Sequence, residues 1–124
     1  MRALVIDDSK AIRIILRRLL AELGFEVVEA ADGRQALGRL AELEPRPDLV
    51  LVDWNMPEMN GLEFVREVRG SGGNDDVTMV MVTTETESSQ VVRALAAGAN
   101  EYVMKPFTRD VLVDKLSLLG LVPT

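Results

Sequence analysis

Leu49-Val50-Leu51-Val52-Asp53-Trp54-Asn55-Met56-Pro57 is the stretch on which the fold turns. Four apolar residues run without a break and stop at a carboxylate. A strand wetted on one face alternates apolar with polar residues. An unbroken Leu/Val run belongs to a strand covered on both faces, the usual condition of parallel sheets. Asp53 is the first residue that cannot join that run, so it stands at the strand's carboxyl end. In open α/β sheets that end is where ligands bind.

The flanking segments repeat this plan. Arg2-Ala3-Leu4-Val5-Ile6 reads as a strand ending on Asp7-Asp8, and Phe25-Glu26-Val27-Val28-Glu29 as another. Val77 to Val82 ends on Thr83-Thr84, and Glu101-Tyr102-Val103-Met104 ends on Lys105-Pro106. Helical patterns lie between. Ile12, Ile15, Leu16, Leu19, Leu20 and Leu23 form a stripe at helical spacing, closed by Gly24. Arg13, Arg17 and Arg18 fall off it and are expected in solvent. Asp32 reads as the N-cap of a second helix, with Gln35 placed to reach back. Its inward residues are Ala36, Leu37, Leu40, Ala41 and Leu43, and Pro45 and Pro47 stop it. Met56 to Gly61 is a loop, since the residue before a proline favours extended geometry and Asn60-Gly61 is turn chemistry. Leu62, Val65 and Val68 mark a third helix and Glu87 to Ala97 a fourth. A fifth, capped by Thr108, carries Leu112, Leu116 and Leu119. Gly70 to Asp76 reads as a surface loop.

Strand starts recur about two dozen residues apart, the repeat of βα units joined by crossover helices. The expected fold is α/β, a flavodoxin-like doubly wound (βα)5 sandwich on a five-stranded parallel sheet of order 2-1-3-4-5, forming one domain over residues 1–124. That order sets the ends of strands 1 and 3 side by side.

Composition narrows the chemistry. Without cysteine there are no disulfides or thiolate metal sites. Without histidine there are no His-based triads or metal sites, and the chain carries no phosphohistidine of its own. A net charge of −6 weighs against a nucleic-acid surface. No apolar run is long enough to span a membrane and no signal-peptide pattern opens the chain. A cytoplasmic monomer is expected, with neither nucleic acid nor membrane as partner. No linker or effector follows Pro123-Thr124, so a stand-alone protein is the simpler expectation.

The strand ends supply the candidate site. Strand 1 brings Asp7 and Asp8, strand 3 Asp53, strand 4 Thr83 and strand 5 Lys105. Each alone has an ordinary structural use: Asp8 or Ser9 as the N-cap of helix 1, Asp53 at a loop entry, Thr83 in a turn, Lys105 in solvent. Their joint placement at four strand ends favours a site. Clustered carboxylates need a shared proton or a cation. Oxygen donors without Cys or His select Mg²⁺, with Mn²⁺ as substitute. Such an ion suits phosphoryl groups, and a carboxylate can serve as nucleophile to give an aspartyl-phosphate. Lys105 and Thr83 would then bind phosphoryl oxygens. No Walker loop, dinucleotide fingerprint or Gly-x-Ser-x-Gly elbow is present.

These motifs, with Asn60-Gly61, Met81-Val82-Thr83 and Lys105-Pro106-Phe107, resemble a response-regulator receiver domain of the stand-alone chemotaxis (CheY-like) type across essentially the whole chain. The resemblance implies that Asp53 is the phosphoacceptor, charged by a sensor histidine kinase or histidine phosphotransfer protein. It implies Mg²⁺ ligation by Asp8, Asp53 and the Asn55 carbonyl, with Asp7 acting through water. It makes Lys105 the phosphate-binding lysine, with a cis bond to Pro106, and Thr83 and Tyr102 the switch pair. Asn55 and Glu85 stand where dephosphorylation is tuned, and Lys115 matches the family as well. A downstream protein would bind the face of helix 4, strand 5 and helix 5. Two features depart from the pattern. Asn60 stands where Asp is frequent, and Glu87-Ser88 where flagellar-type relatives carry lysines, which weighs against a motor-switch partner. The reading is a phosphorylation switch that catalyses only its own phosphorylation and dephosphorylation. A Mg²⁺-dependent phosphatase and a non-phosphorylated docking module are the alternatives.

Overall fold

Every residue of Leu49–Asp53 is buried in a strand, as the unbroken apolar run requires. The structure is a computed structural model and describes residues 1–72, 76–84, 88–105 and 107–121, the side chains of residues 88 and 89 excepted. Strands and helices alternate: β1 (Arg2–Ile6), α1 (Lys10–Glu22), β2 (Glu26–Ala30), α2 (Gly33–Glu42), β3 (Leu49–Asp53), α3 (Gly61–Gly70), β4 (Thr78–Thr83), α4 (Ser88–Ala97), β5 (Glu101–Met104) and α5 (Arg109–Leu118). The sheet runs β2-β1-β3-β4-β5 with every pairing parallel. The expected doubly wound fold is therefore the observed one.

Alternation along the strands builds two cores. Leu4, Ile6, Val50, Val52, Met79 and Met81 point to one face, where Leu40 of α2, Phe64 of α3 and Ala94 of α4 cover them. Ala3, Val5, Leu49, Leu51, Val80, Val82 and Val103 point to the other, under Leu16 and Leu20 of α1 and Leu112 and Leu116 of α5. Each buried Val, Leu, Ile, Met or Phe side chain among these contributes about 1.5–3 kcal/mol over its exposed state. The two-residue period then sorts the candidate residues. Asp53 follows Leu49 and Leu51 on the α1/α5 face, and Asp7 and Lys105 come two residues after Val5 and Val103. Thr83 follows Met79 and Met81 on the opposite face, where Tyr102 also packs.

Several local expectations shift. β2 begins one residue late because Phe25 belongs to the stop of α1. Gly24 takes φ +94° and donates its N–H to the Ala21 carbonyl, and the Phe25 N–H donates to the Leu20 carbonyl. This double closure satisfies helix-end carbonyls, and Phe25 and Leu20 share one core. Asp32 caps α2 by accepting from the Gln35 N–H, but Gln35 Oε1 accepts from the Ala31 N–H rather than the capping residue's own. Ala41 is exposed. Ile15 is 53% exposed, because the α1 stripe is wider than the sheet surface it covers. Arg13 is not in solvent; its side chain is 16% exposed and bonded on two sides. The expected start of α4 at Glu87 lies outside the described residues, as does part of the Gly70 to Asp76 loop.

Candidate functional site

The turn after β1 is held by its own side chains. Ser9 caps α1 by accepting from the Ile12 N–H at 3.3 Å, so Asp8 is free of that duty. Asp7 Oδ1 accepts the Ser9 N–H at 2.9 Å. The Asp7 N–H donates to the last carbonyl of β2, that of Ala30, at 3.2 Å. Asp7 is buried and Asp8 exposed at the rim.

The end of β3 is held from both sides. The Trp54 N–H donates to the Val82 carbonyl at 2.9 Å, and the Gly61 N–H to the Trp54 carbonyl at 2.9 Å. Gly61 opens α3 against the strand. A Cβ there would collide with the Asp53 carbonyl oxygen and stand 2.8 Å from Met81 Sδ. Only glycine lets the helix start so close to the strand. Asn60 and Glu63 form a reciprocal capping box at this start, which sequence reading assigned only to turn chemistry.

Lys105 joins the two acids. Its N–H extends the β4–β5 ladder to the Thr83 carbonyl at 2.7 Å. Its Nζ donates to Asp7 Oδ2 at 2.9 Å and to Asp53 Oδ1 at 3.3 Å. One carboxylate oxygen from each of Asp7, Asp8 and Asp53 lies within 4.8 Å of the others. Burial pushes the Asp53 carboxyl above its ordinary value, the Asp7 charge adds to this, and Lys105 opposes both. Burial pulls the Lys105 ammonium down, but bonding to Asp7 and the charges of Asp53 and Asp7 outweigh it and hold the ammonium above its usual value. The site is thus short of positive charge, with one ammonium against three acids. All-oxygen donors and an acidic excess fit a hard divalent cation. Asp53, buried and held beside a cation, has the surroundings of a carboxylate nucleophile.

The response regulator receiver domain model matches residues 3–117. The chain belongs to that family. This receiver domain is 42% identical over 120 residues to the chemotaxis protein CheY1 of Helicobacter pylori, covering 96% of each chain. It is 45% identical over 117 residues to the CheY homolog of Campylobacter jejuni, covering 94% of this chain and 89% of that one. Among solved structures, chemotaxis response regulator CheY4 of Vibrio cholerae superposes with a TM-score of 0.88 at 36% identity, over 95% of this chain and 97% of that one.

Of the residues singled out in the sequence, Asp7, Asp8, Asp53 and Lys105 meet in the receiver domain's crevice. Thr83 is buried at the end of β4, one residue past Val82, the register partner of Asp53. Asn55 is exposed, two residues after Asp53. Tyr102 is half-buried beside the core, in register with Met81 and so on Thr83's face. Lys115 Nζ sits 4.6 Å from the Tyr102 ring centroid and 3.3 Å from Glu101 Oε1. Glu85 and Pro106, and with Pro106 the expected cis bond, lie outside the described residues. Sequence reading missed Arg13, whose Nη1 donates to the Asp7 carbonyl at 2.6 Å. Its only signal is a place one helical turn into α1, on the side of the Asp7-Asp8 turn.

Proposed function

We propose that this receiver domain is the phosphorylation-operated switch of a chemotaxis-type two-component pathway, with Asp53 as phosphoacceptor. The convergence of Asp7, Asp8 and Asp53, with Lys105 bonded to Asp7 and Asp53, carries the reading. A phosphohistidine on a kinase or phosphotransfer protein is the donor that membership of the receiver family supports, and the chain's lack of histidine fits a donor on a separate protein. An Asp53 oxygen forms the new O–P bond as the donor's N–P bond breaks and the imidazole takes the electron pair. Asp7, Asp8, Asp53 and the Asn55 carbonyl would hold Mg²⁺. Bound there, the ion neutralises the acids and the transferring oxygens. Lys105 then exchanges its carboxylate partners for a phosphoryl oxygen, and the Thr83 hydroxyl binds another. Movement of Thr83 opens space for Tyr102 on the same face, and Asn55 and Glu85 tune loss of the phosphoryl group to water.

The readout surface is α4, β5 and α5, whose bias between two conformations shifts on phosphorylation. Val92, Leu95, Met104 and Val111 are exposed there, an apolar group that suits a protein partner. No helix among the described residues is long and apolar enough to cross a membrane. The domain works in the cytoplasm as a monomeric relay, not as a dedicated enzyme.

The test is a small-molecule phosphodonor with Mg²⁺, read by intact-mass spectrometry. One labile phosphoryl group is expected, absent from Asp53→Asn. Labelling of that variant would refute the assignment. Turnover of small phosphate esters would favour a phosphatase instead. A flat titration of Trp54 fluorescence at millimolar Mg²⁺ would favour a docking module.

A further inference from the structure

The Asp7-Asp8 turn is gripped by one side chain that reaches back from α1. The Arg13 N–H bonds the Ser9 carbonyl at 3.0 Å, which fixes Arg13 in the first turn of the helix. Its guanidinium then spans two elements. Nη1 donates to the Asp7 carbonyl at 2.6 Å and Nε to Glu29 Oε1 in β2 at 3.2 Å. Glu29 is itself held by Arg17, through Oε2 at 2.6 Å. Asp7 needs little of this, because its side chain is already bonded by the Ser9 N–H and by Lys105. Asp8 is different. It is exposed, and no hydrogen bond or ion pair among the described residues holds its carboxylate. The peptide plane between Asp7 and Asp8 sets where the Asp8 Cα stands, and the Asp7 carbonyl of that plane is what Arg13 holds.

We propose that Arg13 is a positioning residue for the cation site: by fixing the Asp7–Asp8 peptide against β2 it aims the Asp8 carboxylate at Asp7 and Asp53. This rests on the proposed Mg²⁺ reading of the same site. A lysine could not substitute, since a single ammonium lacks the rigid fork that bonds a carbonyl and a carboxylate in two directions. Outer residues that orient metal ligands typically change metal affinity by about 10- to 100-fold.

Charge and geometry predict opposite signs here. Arg13 is a cation beside a cation site, so its removal, on charge alone, tightens Mg²⁺ binding. Positioning predicts weaker binding. The full chain is titrated with MgCl₂ alone, read by Trp54 fluorescence and independently by the Mg²⁺-induced shift in Tm. Arg13→Met should bind about tenfold more weakly. Arg13→Lys, which keeps the charge, should also bind more weakly. Arg17→Met removes a neighbouring charge without touching the Asp7 carbonyl and should bind as tightly as wild type or slightly tighter. A merely structural arginine would lower Tm and leave Mg²⁺ affinity unchanged. Unchanged or tighter binding by both Arg13 variants, with a responding wild type, overturns the positioning role alone. A wild type that does not respond overturns the Mg²⁺ reading and this role with it.

Discussion

Lys105→Met in the metal-free protein should be destabilising at neutral pH and markedly less so in mild acid. The ammonium lies 2.9 Å from Asp7 Oδ2 and 3.3 Å from Asp53 Oδ1, and its side chain is 19% exposed. At an effective dielectric constant of about 20, each contact is worth about 5–6 kcal/mol of gross attraction. Most of that offsets desolvation and the mutual repulsion of the acids. Without the lysine, the buried acids can either stay ionised and unpaired or take up a proton. The second route sets a ceiling. Protonating one carboxyl whose unfolded pKa is about 3.9 costs about 4 kcal/mol near pH 7 and about 1.5 kcal/mol near pH 5. The expected loss is therefore about 2–4 kcal/mol near pH 7, shrinking below about 1.5 kcal/mol near pH 5.

The sign follows from proton binding. In the variant the native acids bind a proton more tightly than the unfolded chain does, so stability rises as pH falls. The wild type shares that direction through the raised Asp53, but less steeply, because Lys105 opposes the rise. Lys105 itself adds no slope in this window. Its folded pKa is raised, so its contribution is complete below the unfolded value and is lost only as pH rises through the folded one, in strong alkali. Urea unfolding followed by far-ultraviolet circular dichroism, in chelator at the two pH values, measures the difference. A variant within about 0.5 kcal/mol of wild type near pH 7, or a deficit equal at both pH values, would refute the electrostatic account.

Three further outcomes follow from the same geometry. Asp53→Asn should stabilise the metal-free protein near neutral pH, read as a higher urea midpoint of unfolding. The raised folded pKa means that the ionised side chain opposes folding there, and the gain should vanish in acid as the wild-type carboxyl protonates. Gly61→Ala should cost about 1–3 kcal/mol and weaken Mg²⁺-dependent Trp54 fluorescence, because the new methyl meets the Asp53 carbonyl and Met81 Sδ; an unchanged Tm would contradict that contact. Glu58 sits at φ +65° inside a tight turn closed by the Met59 N–H on the Pro57 carbonyl, so Glu58→Gly should add about 0.5–1 kcal/mol of stability. The lost ion pair to Arg34 is exposed on both sides and should not offset that gain; a lower Tm for this variant would argue against strain at Glu58.

What was legible in the sequence was whatever periodicity carries. The unbroken Leu/Val run of β3 fixed a strand covered on both faces, and the shared plan of apolar run and polar end located Asp7, Asp53, Thr83 and Lys105 at one edge. Helix ends were less legible, because competing hydrogen bonds decide them. Phe25 has strand propensity, yet its N–H is claimed by the Leu20 carbonyl, and β2 starts one residue later. Asn60 and Glu63 carry a capping signature that read only as a turn, since a short polar pair gives no period. Arg13 was the largest miss. A helical wheel shows which way a residue leaves its own helix, but not that a long side chain folds back six residues to the preceding turn.

Three acids converge where three parallel strands, β1, β3 and β4, lie side by side and pair over most of their length. The strand ends that carry Asp7 and Asp53 are too firmly paired to relieve repulsion by letting those two buried acids drift apart. Relief must come from added positive charge, and among the described residues the ammonium bonded to these acids comes from a strand-end lysine still partly open to solvent. That ammonium bonds both buried acids at once, so any ligand that changes the charge on Asp53 changes what Lys105 is paired with. Lys105 is also bonded through its main chain to the Thr83 carbonyl at the end of β4, and Tyr102 packs on Thr83's face of the neighbouring strand. A charge change at the crevice therefore has a short covalent and hydrogen-bonded route to β5, whose outer residues lie between α4 and α5. Electrostatic imbalance at the crevice, joined by these bonds to β5, is the link through which the proposed switch would reach its proposed readout surface.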